Sequence, residues 1–364
     1  MSTVRASVDL TRDNPVGRVP EPVGHHVATL TGDADGWTLR RPARLRRRGR
    51  WEALDDTLDL LDDVHDVDVR TSGAPQDVLS RWALRAAARG SLVTGDVPGS
   101  VVPVGPAPTS RPGDLDHDVR SVRQRRAALA TGLGPAPTVS AVLVTRRPAL
   151  VPRILAMLDA QRYPSLEVVL VVHGDEPVEV PAGLAVPVQL LHAPGDRSLG
   201  HALELGCAAA SGTLLTKVDD DDFYGPDHVL DLVLAHRVSG ALMVGKSTTV
   251  VHVEQLDATV RRVFGVPEGF THRVAGGTML LSADDLRAVG GWSDVPRAVD
   301  TKLLESVARA GGRVYRPHDV GYLYVRHRPA PGLEHTWSTD PRHFLRNTRE
   351  QWLGLLAHEE FGTA

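Results

Sequence analysis

The strongest constraint on the fold is a series of largely apolar runs that begins at Thr138. Each run has the length of a β-strand, and the segments between the runs carry apolar residues at helical spacing. Strands that are apolar on both faces are typical of a largely parallel sheet covered by helices. The runs are TVSAVLVT at 138–145, EVVLVVH at 167–173, VPVQLLH at 186–192 and TLLTKV at 213–218. The sequence therefore predicts an α/β fold for this part of the chain.

The bulk composition predicts a folded, soluble protein and excludes several classes. The chain has 364 residues, 42% of them hydrophobic, and a formal net charge of −4, which gives no reason to expect nucleic acid as a partner. Its one cysteine excludes an intramolecular disulfide and a multi-cysteine zinc site. No segment approaches the roughly 18 apolar residues that a membrane helix needs. We expect a cytoplasmic protein without a transmembrane segment.

Local composition divides the chain into three parts. Proline, glycine and short polar residues crowd Val101–Asp118, as in a connector between domains. We therefore expect a smaller α/β region with its linker at 1–118, the main domain at 119–330, and a C-terminal loop and helix at 331–364.

The two flanking parts have their own patterns. Residues 66–97 read as strand, helix and strand, which indicates one small α/β unit. From Pro341 onward the spacing of apolar residues predicts an amphipathic helix. The candidate packing residues of this helix are Phe344, Trp352, Leu355 and Leu356.

A dense basic run lies in the first part of the chain. It comprises Arg40, Arg41, Arg44, Arg46, Arg47, Arg48 and Arg50. Such a run can meet anionic lipid headgroups, which would make the protein peripheral to the inner face of the membrane, or it can meet a polyanionic acceptor. The alternative interpretation is a solvated surface, because no aromatic residues are interleaved with the arginines.

Four consecutive aspartates, Asp219 to Asp222, directly follow the run at 213–218. Carboxylates crowded at the carboxyl edge of a parallel sheet repel one another unless a cation is present, and this edge is where α/β folds bind ligands. Hard cations such as Mg²⁺ and Mn²⁺ prefer oxygen ligands and often bind through one or two carboxylates plus substrate phosphates. The alternative is that the acids only cap the helix that begins near Pro226. The pattern favours a metal site.

Five sequence features follow one another in a fixed order between Thr138 and about Arg328. They are SAVLVTRRP; QRYPSLEVVLVVHG; the small residues Ala202, Gly206, Ala210 and Gly212; DDDDFYGP; and AGGTMLLS followed by LRAVGGW. Together they resemble family 2 glycosyltransferases of the GT-A fold. The resemblance implies a Rossmann-like mixed sheet of the nucleotide-diphospho-sugar transferase kind.

The resemblance also implies donor-site roles. Thr145 and His173 would lie near the nucleobase, and Asp219 and Asp221 would form the DxD pair that binds Mn²⁺ or Mg²⁺ with the donor diphosphate. His173 is a departure, because the family usually has an acidic residue there. Leu203 stands where a basic residue is common in the family. Contact with the donor phosphates would therefore fall to Arg197.

On the acceptor side, the resemblance assigns the catalytic base to Asp300, although the usual preceding glutamate is Val299. Such a base deprotonates the acceptor hydroxyl, and the alternative is that Asp300 only caps the helix that follows. His335 would be a third metal ligand, and the alternative is a solvent-exposed histidine in a loop. Trp337 would stack on an acceptor sugar, or it only holds the loop in place. For His327, a solvent-exposed loop position is the favoured interpretation.

The implied reaction is inverting transfer of a hexosyl or related unit from a nucleoside diphosphate sugar. The acceptor hydroxyl would belong to a cell-surface polysaccharide, glycan or lipid-linked precursor. One rival is a nucleotidyltransferase, which normally shows a glycine-rich phosphate loop where this chain has TRRPAL. Another is a catalytically inactive module that binds sugar nucleotides, which the departures at His173 and Val299 keep open.

Overall fold

A computed structural model describes residues 7–13, 26–41, 46–97, 102–263, 268–328 and 340–364. The chain forms two compact units, Met1–Gly134 and Pro135–Ala364. No helix within the described ranges is long and apolar enough to cross a membrane.

The first unit is built on a mixed sheet with the strand order β3-β2-β1-β4-β5. Its strands are β1 Val27–Gly32, β2 Trp37–Arg40, β3 Arg46–Gly49, β4 Asp66–Thr71 and β5 Leu92–Gly95. Its helices are α1 Leu10–Asp13, α2 Gln76–Ala88, α3 Leu115–Ala130 and the 3₁₀ helix Trp51–Leu61. The strands β4 and β5 are parallel and joined by α2, as the strand, helix, strand pattern at 66–97 predicted.

The first unit extends past the boundary that composition placed after residue 118. Helix α3 packs on β5, where the Gln124 side chain accepts a hydrogen bond from Val93 N at 2.8 Å and donates one to Val93 O at 2.7 Å. His117 on the same helix lies 2.7 Å from the Asp66 carboxylate of β4. These contacts place α3 with the first sheet and not with the main domain.

The second unit contains two sheets and five α-helices among its described residues. Its strands are β6 Val139–Thr145, β7 Leu166–His173, β8 Val188–Ala193, β9 Leu214–Val218, β10 Phe223–Tyr224, β11 Met243–Val244, β12 Val250–Val253, β13 Ala258–Arg262, β14 Gly269–Thr271, β15 Leu280–Ser282, β16 Val314–Arg316, β17 Tyr322–Arg326 and β18 Thr348–Leu353. Its helices are α4 Val151–Asp159, α5 Leu199–Ala209, α6 His228–Ser239, α7 Ala283–Ala288 and α8 Val299–Arg309. Short 3₁₀ helices lie at Pro148–Leu150, Glu254–Leu256, Gly276–Thr278, Pro341–Leu345 and Glu359–Phe361.

The main sheet confirms the predicted α/β class. Its order is β14-β16-β11-β15-β9-β6-β7-β8, and β9, β6, β7 and β8 run parallel to one another. Helix α5 lies close against this sheet at Gly206, where a Cβ atom would stand 2.7 Å from a Val142 methyl group. A larger residue at Gly206 would therefore push the helix off the sheet.

The C-terminal tail is a strand, and the predicted amphipathic helix is wrong. Strand β18 pairs antiparallel with β13 at the end of the second sheet, whose order is β10-β17-β12-β13-β18. Phe344 and Leu356 are buried as expected, but Leu355 is exposed. The free edge of β13 offers hydrogen-bond partners to the backbone of the tail. These long-range hydrogen bonds outweigh the preference for a helix that the spacing of apolar residues indicates.

Candidate active site

The parallel strands β6, β7 and β9 end at one cleft with a volume of about 1250 Å³. Because their carboxyl ends meet at one edge, the side chains that follow them converge there. The cleft is lined by Thr145, Arg147, His173, Arg197, Asp219, Asp220, Asp221, Asp294 and Asp300, among others. Most of the site residues predicted from the sequence thus share one cavity.

Asp219 opens the acidic cluster at the end of β9. Its Oδ1 atom lies 2.7 Å from Lys217 Nζ, and its backbone N–H donates to the Tyr224 hydroxyl at 2.9 Å. Partial withdrawal from water raises the pKa of Asp219 to about 6; Asp300 and Asp221 act in the same direction, and Lys217 opposes them. The ionised form of a carboxylate with a raised pKa is stabilised by any additional cation nearby.

Lys217 is a site residue that the sequence reasoning missed. Its side chain is 4% exposed, and its ammonium lies 3.3 Å from Asp300 Oδ1 as well as beside Asp219. Burial alone would lower the pKa of Lys217, but the two carboxylates more than offset it and raise the pKa above its usual value. The signal in the sequence was a charged residue inside an otherwise apolar strand.

Asp220 and Asp221 share a second protein cation, Arg147. The guanidinium donates to both oxygens of Asp220 and, through Nη1, to Asp221 Oδ2 at 2.8 Å. The Thr145 hydroxyl donates to Asp220 and accepts from Arg147 N at 2.8 Å. Thr145, predicted near the nucleobase, therefore also holds Asp220 in place.

Asp222 points away from the cleft into the protein. It accepts hydrogen bonds from the Tyr322 hydroxyl at 2.6 Å and from Val325 N at 2.9 Å. Burial raises the pKa of Asp222 well above its usual value, and these two hydrogen bonds act against that rise. Asp222 thus joins the acidic cluster to β17 and is a structural member of it.

His173 and Arg197 lie together at the end of β7. His173 Nδ1 accepts from Arg146 Nε at 3.2 Å, and His173 Nε2 lies 2.9 Å from both Arg197 O and Arg146 Nη2. Burial and the charge of Arg146 lower the pKa of His173, which keeps the ring neutral. The Arg197 guanidinium lies 3.2 Å from the Asp294 carboxylate at the mouth of the cleft.

Asp300 stands in the first turn of α8, but it is not the cap of that helix. The cap position is Ala298, with a left-handed φ of 60°, and no side chain donates or accepts there. Asp300 instead faces Lys217 across the cleft floor. Val299, found where the family usually has glutamate, is buried in the apolar core beneath the helix, where a carboxylate would lack a partner.

The predicted third metal ligand, His335, and the predicted acceptor residue, Trp337, lie outside the described residues. His327 is not the exposed loop residue that we expected, because its side chain is only 10% exposed. Its Nε2 atom lies 3.7 Å from Asp221 Oδ2, and its Nδ1 atom lies 2.9 Å from Glu254 Oε1. The structure therefore brings a histidine to the acidic cluster from the end of β17.

The carboxylate oxygens of Asp219 and Asp221 fit a hard divalent cation that also binds a ligand. Each of Asp219 and Asp221 engages a protein cation through one oxygen, and its other oxygen has no partner within the described ranges. Gly277 leaves room beside Asp219, since a Cβ atom there would lie 2.7 Å from Asp219 Oδ2. The described residues hold no group of three His, Cys, Asp or Glu side chains arranged for a metal. Two carboxylate oxygens completed by phosphate oxygens are typical of Mg²⁺ and related ions.

Residues 141–272 match the protein-family model described as glycosyl transferase family 2. This segment is similar to family 2 glycosyltransferases. The predicted resemblance is thereby confirmed, and the matched residues include Thr145, His173, Arg197 and the acidic cluster. Asp300 follows the family 2 segment in the chain. No curated protein matches the chain.

Two solved glycosyltransferase structures are similar to part of the chain. The mannosyltransferase PcManGT from Pyrobaculum calidifontis, in complex with GDP-Man and Mn²⁺, is 18% identical with a TM-score of 0.42, over 55% of this chain and 59% of that chain. TarS 1-349 from S. aureus, in complex with UDP-GlcNAc, is 13% identical with a TM-score of 0.42, over 57% of this chain and 63% of that chain. The chain thus spans about three fifths of the length of the solved structures that it matches.

Proposed function

We propose that the protein is an inverting, metal-dependent glycosyltransferase that uses a nucleoside diphosphate sugar. The observation that carries this proposal is the meeting of Asp219, Asp221 and Asp300 in one cleft at the carboxyl edge of a family 2 sheet. The first two residues suit the donor diphosphate, and the third suits the acceptor. A single cleft with both kinds of carboxylate is what a direct displacement requires.

On the donor side, Asp219 and Asp221 would hold Mn²⁺ or Mg²⁺ through their unpartnered oxygens. When bound, such a cation supplies positive charge against the charge that develops on the leaving diphosphate. Arg147 holds Asp221 in place from the opposite oxygen, and Lys217 forms an ion pair with Asp219 through the Oδ1 atom. Thr145, His173 and Arg197 line the same cleft and would contact the nucleotide.

On the acceptor side, Asp300 would act as the base. The acceptor hydroxyl oxygen bonds to the anomeric carbon while the bond from that carbon to the diphosphate oxygen breaks. The hydroxyl proton passes to the Asp300 carboxylate, and the nucleoside diphosphate leaves with the bonding electron pair. Because this is one displacement, the anomeric configuration inverts. We propose a hexosyl or related donor sugar and a cell-surface polysaccharide or lipid-linked acceptor.

The test is a panel of sugar nucleotides measured by thermal shift with and without divalent metal. A ligand that binds only the native protein raises its melting temperature. We expect one donor to do so with Mn²⁺ or Mg²⁺, and we expect excess EDTA or the variant Asp221→Asn to remove the shift. An unchanged shift in excess chelator would contradict metal dependence. Release of a nucleoside diphosphate during turnover separates a glycosyltransferase from a nucleotidyltransferase, which releases pyrophosphate, and from an inactive binding module.

We further propose that the first unit contacts anionic membrane lipids at the inner face of the membrane. Trp37 and Leu39 of β2 are buried, so Arg40 lies on the opposite face of the sheet. In the register of β2 and β3, Arg46 lies opposite Arg40 and Arg48 lies opposite Thr38, so all three arginines share that face. Like charges directly opposite each other repel, and an anionic surface relieves the repulsion.

The arginines on this face differ in their ion pairing from other arginines of the first unit. Within the described ranges, Arg40, Arg46 and Arg48 have no carboxylate partner, whereas Arg41, Arg70, Arg81, Arg85 and Arg89 of the same unit are each paired with aspartate. Each exposed arginine near an anionic bilayer contributes about 1 kcal/mol. Arg44, in the same basic run, lies outside the described residues.

Vesicle sedimentation tests the membrane proposal. The protein should bind vesicles that contain phosphatidylglycerol and not vesicles of phosphatidylcholine alone, and 1 M salt should release it. The double variant Arg46→Glu and Arg48→Glu should weaken binding by about tenfold or more. The matched control, Arg287→Glu and Arg309→Glu, makes the same change of charge on exposed helical positions of the second unit and should bind as the unaltered chain does. An equal loss of vesicle binding in both double variants would show that binding depends on net charge and not on this face of the first unit.

A further inference from the structure

Among the described residues, Lys217 is the one side chain that contacts both a proposed donor carboxylate and the proposed acceptor base. Its ammonium lies 2.7 Å from Asp219 Oδ1 and 3.3 Å from Asp300 Oδ1, and its side chain is 4% exposed. Asp219 follows strand β9, and Asp300 lies in the first turn of helix α8. One buried cation therefore ties the sheet edge to the helix that carries the base.

Consecutive glycines let the 3₁₀ turn Gly276–Thr278 approach both carboxylates closely without a side chain in the way. A Cβ atom at Gly276 would stand 2.0 Å from Asp300 Oδ2, and one at Gly277 would stand 2.7 Å from Asp219 Oδ2. Each carboxylate thus lies between a glycine of the 3₁₀ turn and the shared ammonium. With Lys217 removed, the two carboxylates would lose the one ion-pair partner that they share among the described residues.

We propose that Lys217 is a positioning residue that sets where Asp300 stands relative to the donor diphosphate at Asp219. This inference rests on the proposed function. The proposed reaction needs the base and the leaving group in line on opposite sides of the anomeric carbon, and misplacement of a reacting group by about 1 Å can cost about 100-fold in rate. Lys217 also neutralises Asp219, so it competes with a divalent cation for that carboxylate.

Removal of the Lys217 ammonium should therefore lower turnover but should not weaken the binding of a divalent cation. In Lys217→Met, turnover at saturating substrates should fall by about 10- to 100-fold, because Asp300 loses its anchor. The affinity for Mn²⁺, measured in the presence of fixed UDP or GDP, should stay unchanged or become tighter, because a competing cation has gone. A purely structural lysine would instead lower both properties together with the melting temperature.

The chain supplies its own matched control. It has three lysines, and Lys246 is also buried and paired with a carboxylate, at 3.0 Å from Asp231, but it does not line the cleft. Lys246→Met removes the same charge from the interior of the same unit. It should lower the melting temperature and leave both the turnover of the folded protein and its Mn²⁺ affinity unchanged. Lys217→Arg, which keeps the charge, should recover most of the turnover lost in Lys217→Met.

The measurements are steady-state turnover, Mn²⁺ titration by calorimetry with UDP and with GDP, and melting temperature for all variants. Parallel loss of turnover and Mn²⁺ affinity in Lys217→Met, or full turnover in it, overturns the positioning role while leaving the proposed function intact. Failure of the unaltered chain to bind Mn²⁺ with either nucleotide overturns both. If Lys217→Met does not fold, Lys217→Gln, which keeps a polar group in the slot, carries the same titration and the same criteria.

Discussion

The two buried lysines of the second unit occupy regions with opposite access to solvent. Lys246 is fully buried, and so is its partner Asp231, which also lies 3.4 Å from His318 Nε2. Lys246 Nζ in addition donates to the Val320 carbonyl. Lys217 is nearly as buried, yet Asp219 and Asp300 beside it are each 37% exposed to the cleft. The first cluster is closed on all sides, and the second is open on one.

This difference separates structural charges from charges that a ligand can use. In the closed cluster every carboxylate oxygen of Asp231 faces a protein group, so a ligand has nothing to bind. In the open cluster the protein supplies only part of the counter-charge. The remaining oxygens face the cavity, where a cation or an acceptor hydroxyl can reach them.

The largest expected effect lies in the open cluster, at Asp300. The change Asp300→Asn keeps the shape of the side chain but removes its ability to accept a proton. Turnover with the cognate donor and acceptor should fall by about 10²- to 10⁴-fold, while donor affinity and melting temperature stay near those of the unaltered protein. Near-normal turnover in this variant would show that the base lies elsewhere in the chain.

The closed cluster should respond in stability and not in rate. Lys246→Met leaves the Asp231 carboxylate buried without its ammonium, and removal of one partner of a buried pair costs about 3–5 kcal/mol in free energy of unfolding. Denaturant titration measures this loss, and turnover per folded molecule should not change. If Lys246→Met instead lowered turnover at unchanged stability, the division into open and closed clusters would be wrong.

A third buried pair, His117 and Asp66 of the first unit, extends the comparison to the pH dependence of stability. Burial alone would lower the pKa of His117, but Asp118 and Asp66 more than offset it and raise the pKa to about 9. A raised pKa means that this pair stabilises the folded protein fully below pH 6.5, the ordinary value for histidine. The stabilisation, up to about 3 kcal/mol, is lost as the pH rises through 9. Denaturant titrations at pH 6 and pH 10 should show the loss, and His117→Gln should abolish this difference.

The smallest expected effect concerns the entry to the helix that carries Asp300. Ala298 has φ 60°, a left-handed conformation that costs a non-glycine residue about 1–2 kcal/mol. Ala298→Gly removes this strain but adds the conformational freedom of glycine to the unfolded chain, so we expect a gain of about 0.5 kcal/mol. Thermal denaturation measures it, and a clear destabilisation would show that the alanine methyl group makes contacts that outweigh the backbone strain.

Much of the main sheet could be predicted from local pattern. The apolar runs at 138–145, 167–173, 186–192 and 213–218 all became strands within two residues of the expected bounds. Ser282 caps α7 by accepting from Asp285 N at 2.9 Å, a contact between residues of one helical turn. These features depend on residues near one another in the chain, so the sequence carries their signal directly.

The tail and the domain boundary were decided at long range. Strand β18 exists because β13 has a free edge, and its own residues gave a helical spacing. Helix α3 belongs to the first unit because Gln124 finds the backbone of Val93, which lies 31 residues earlier in the chain. Neither contact leaves a mark in local composition.

The sequence by itself determined the fold class of the main domain, the place of the acidic cluster at the carboxyl edge of the sheet, and the family resemblance. The resemblance assigned Asp219 and Asp221 to a metal, but no role for Asp220 or Asp222 followed from the sequence, because all four aspartates have the same chemistry. Only the tertiary structure decided that Asp222 bonds to Tyr322, that Arg147 holds Asp220 and Asp221, and that Lys217 joins Asp219 to Asp300. The physical reason is that the state of a carboxylate depends on the charges and hydrogen bonds that surround it, and distant segments of the chain supply these.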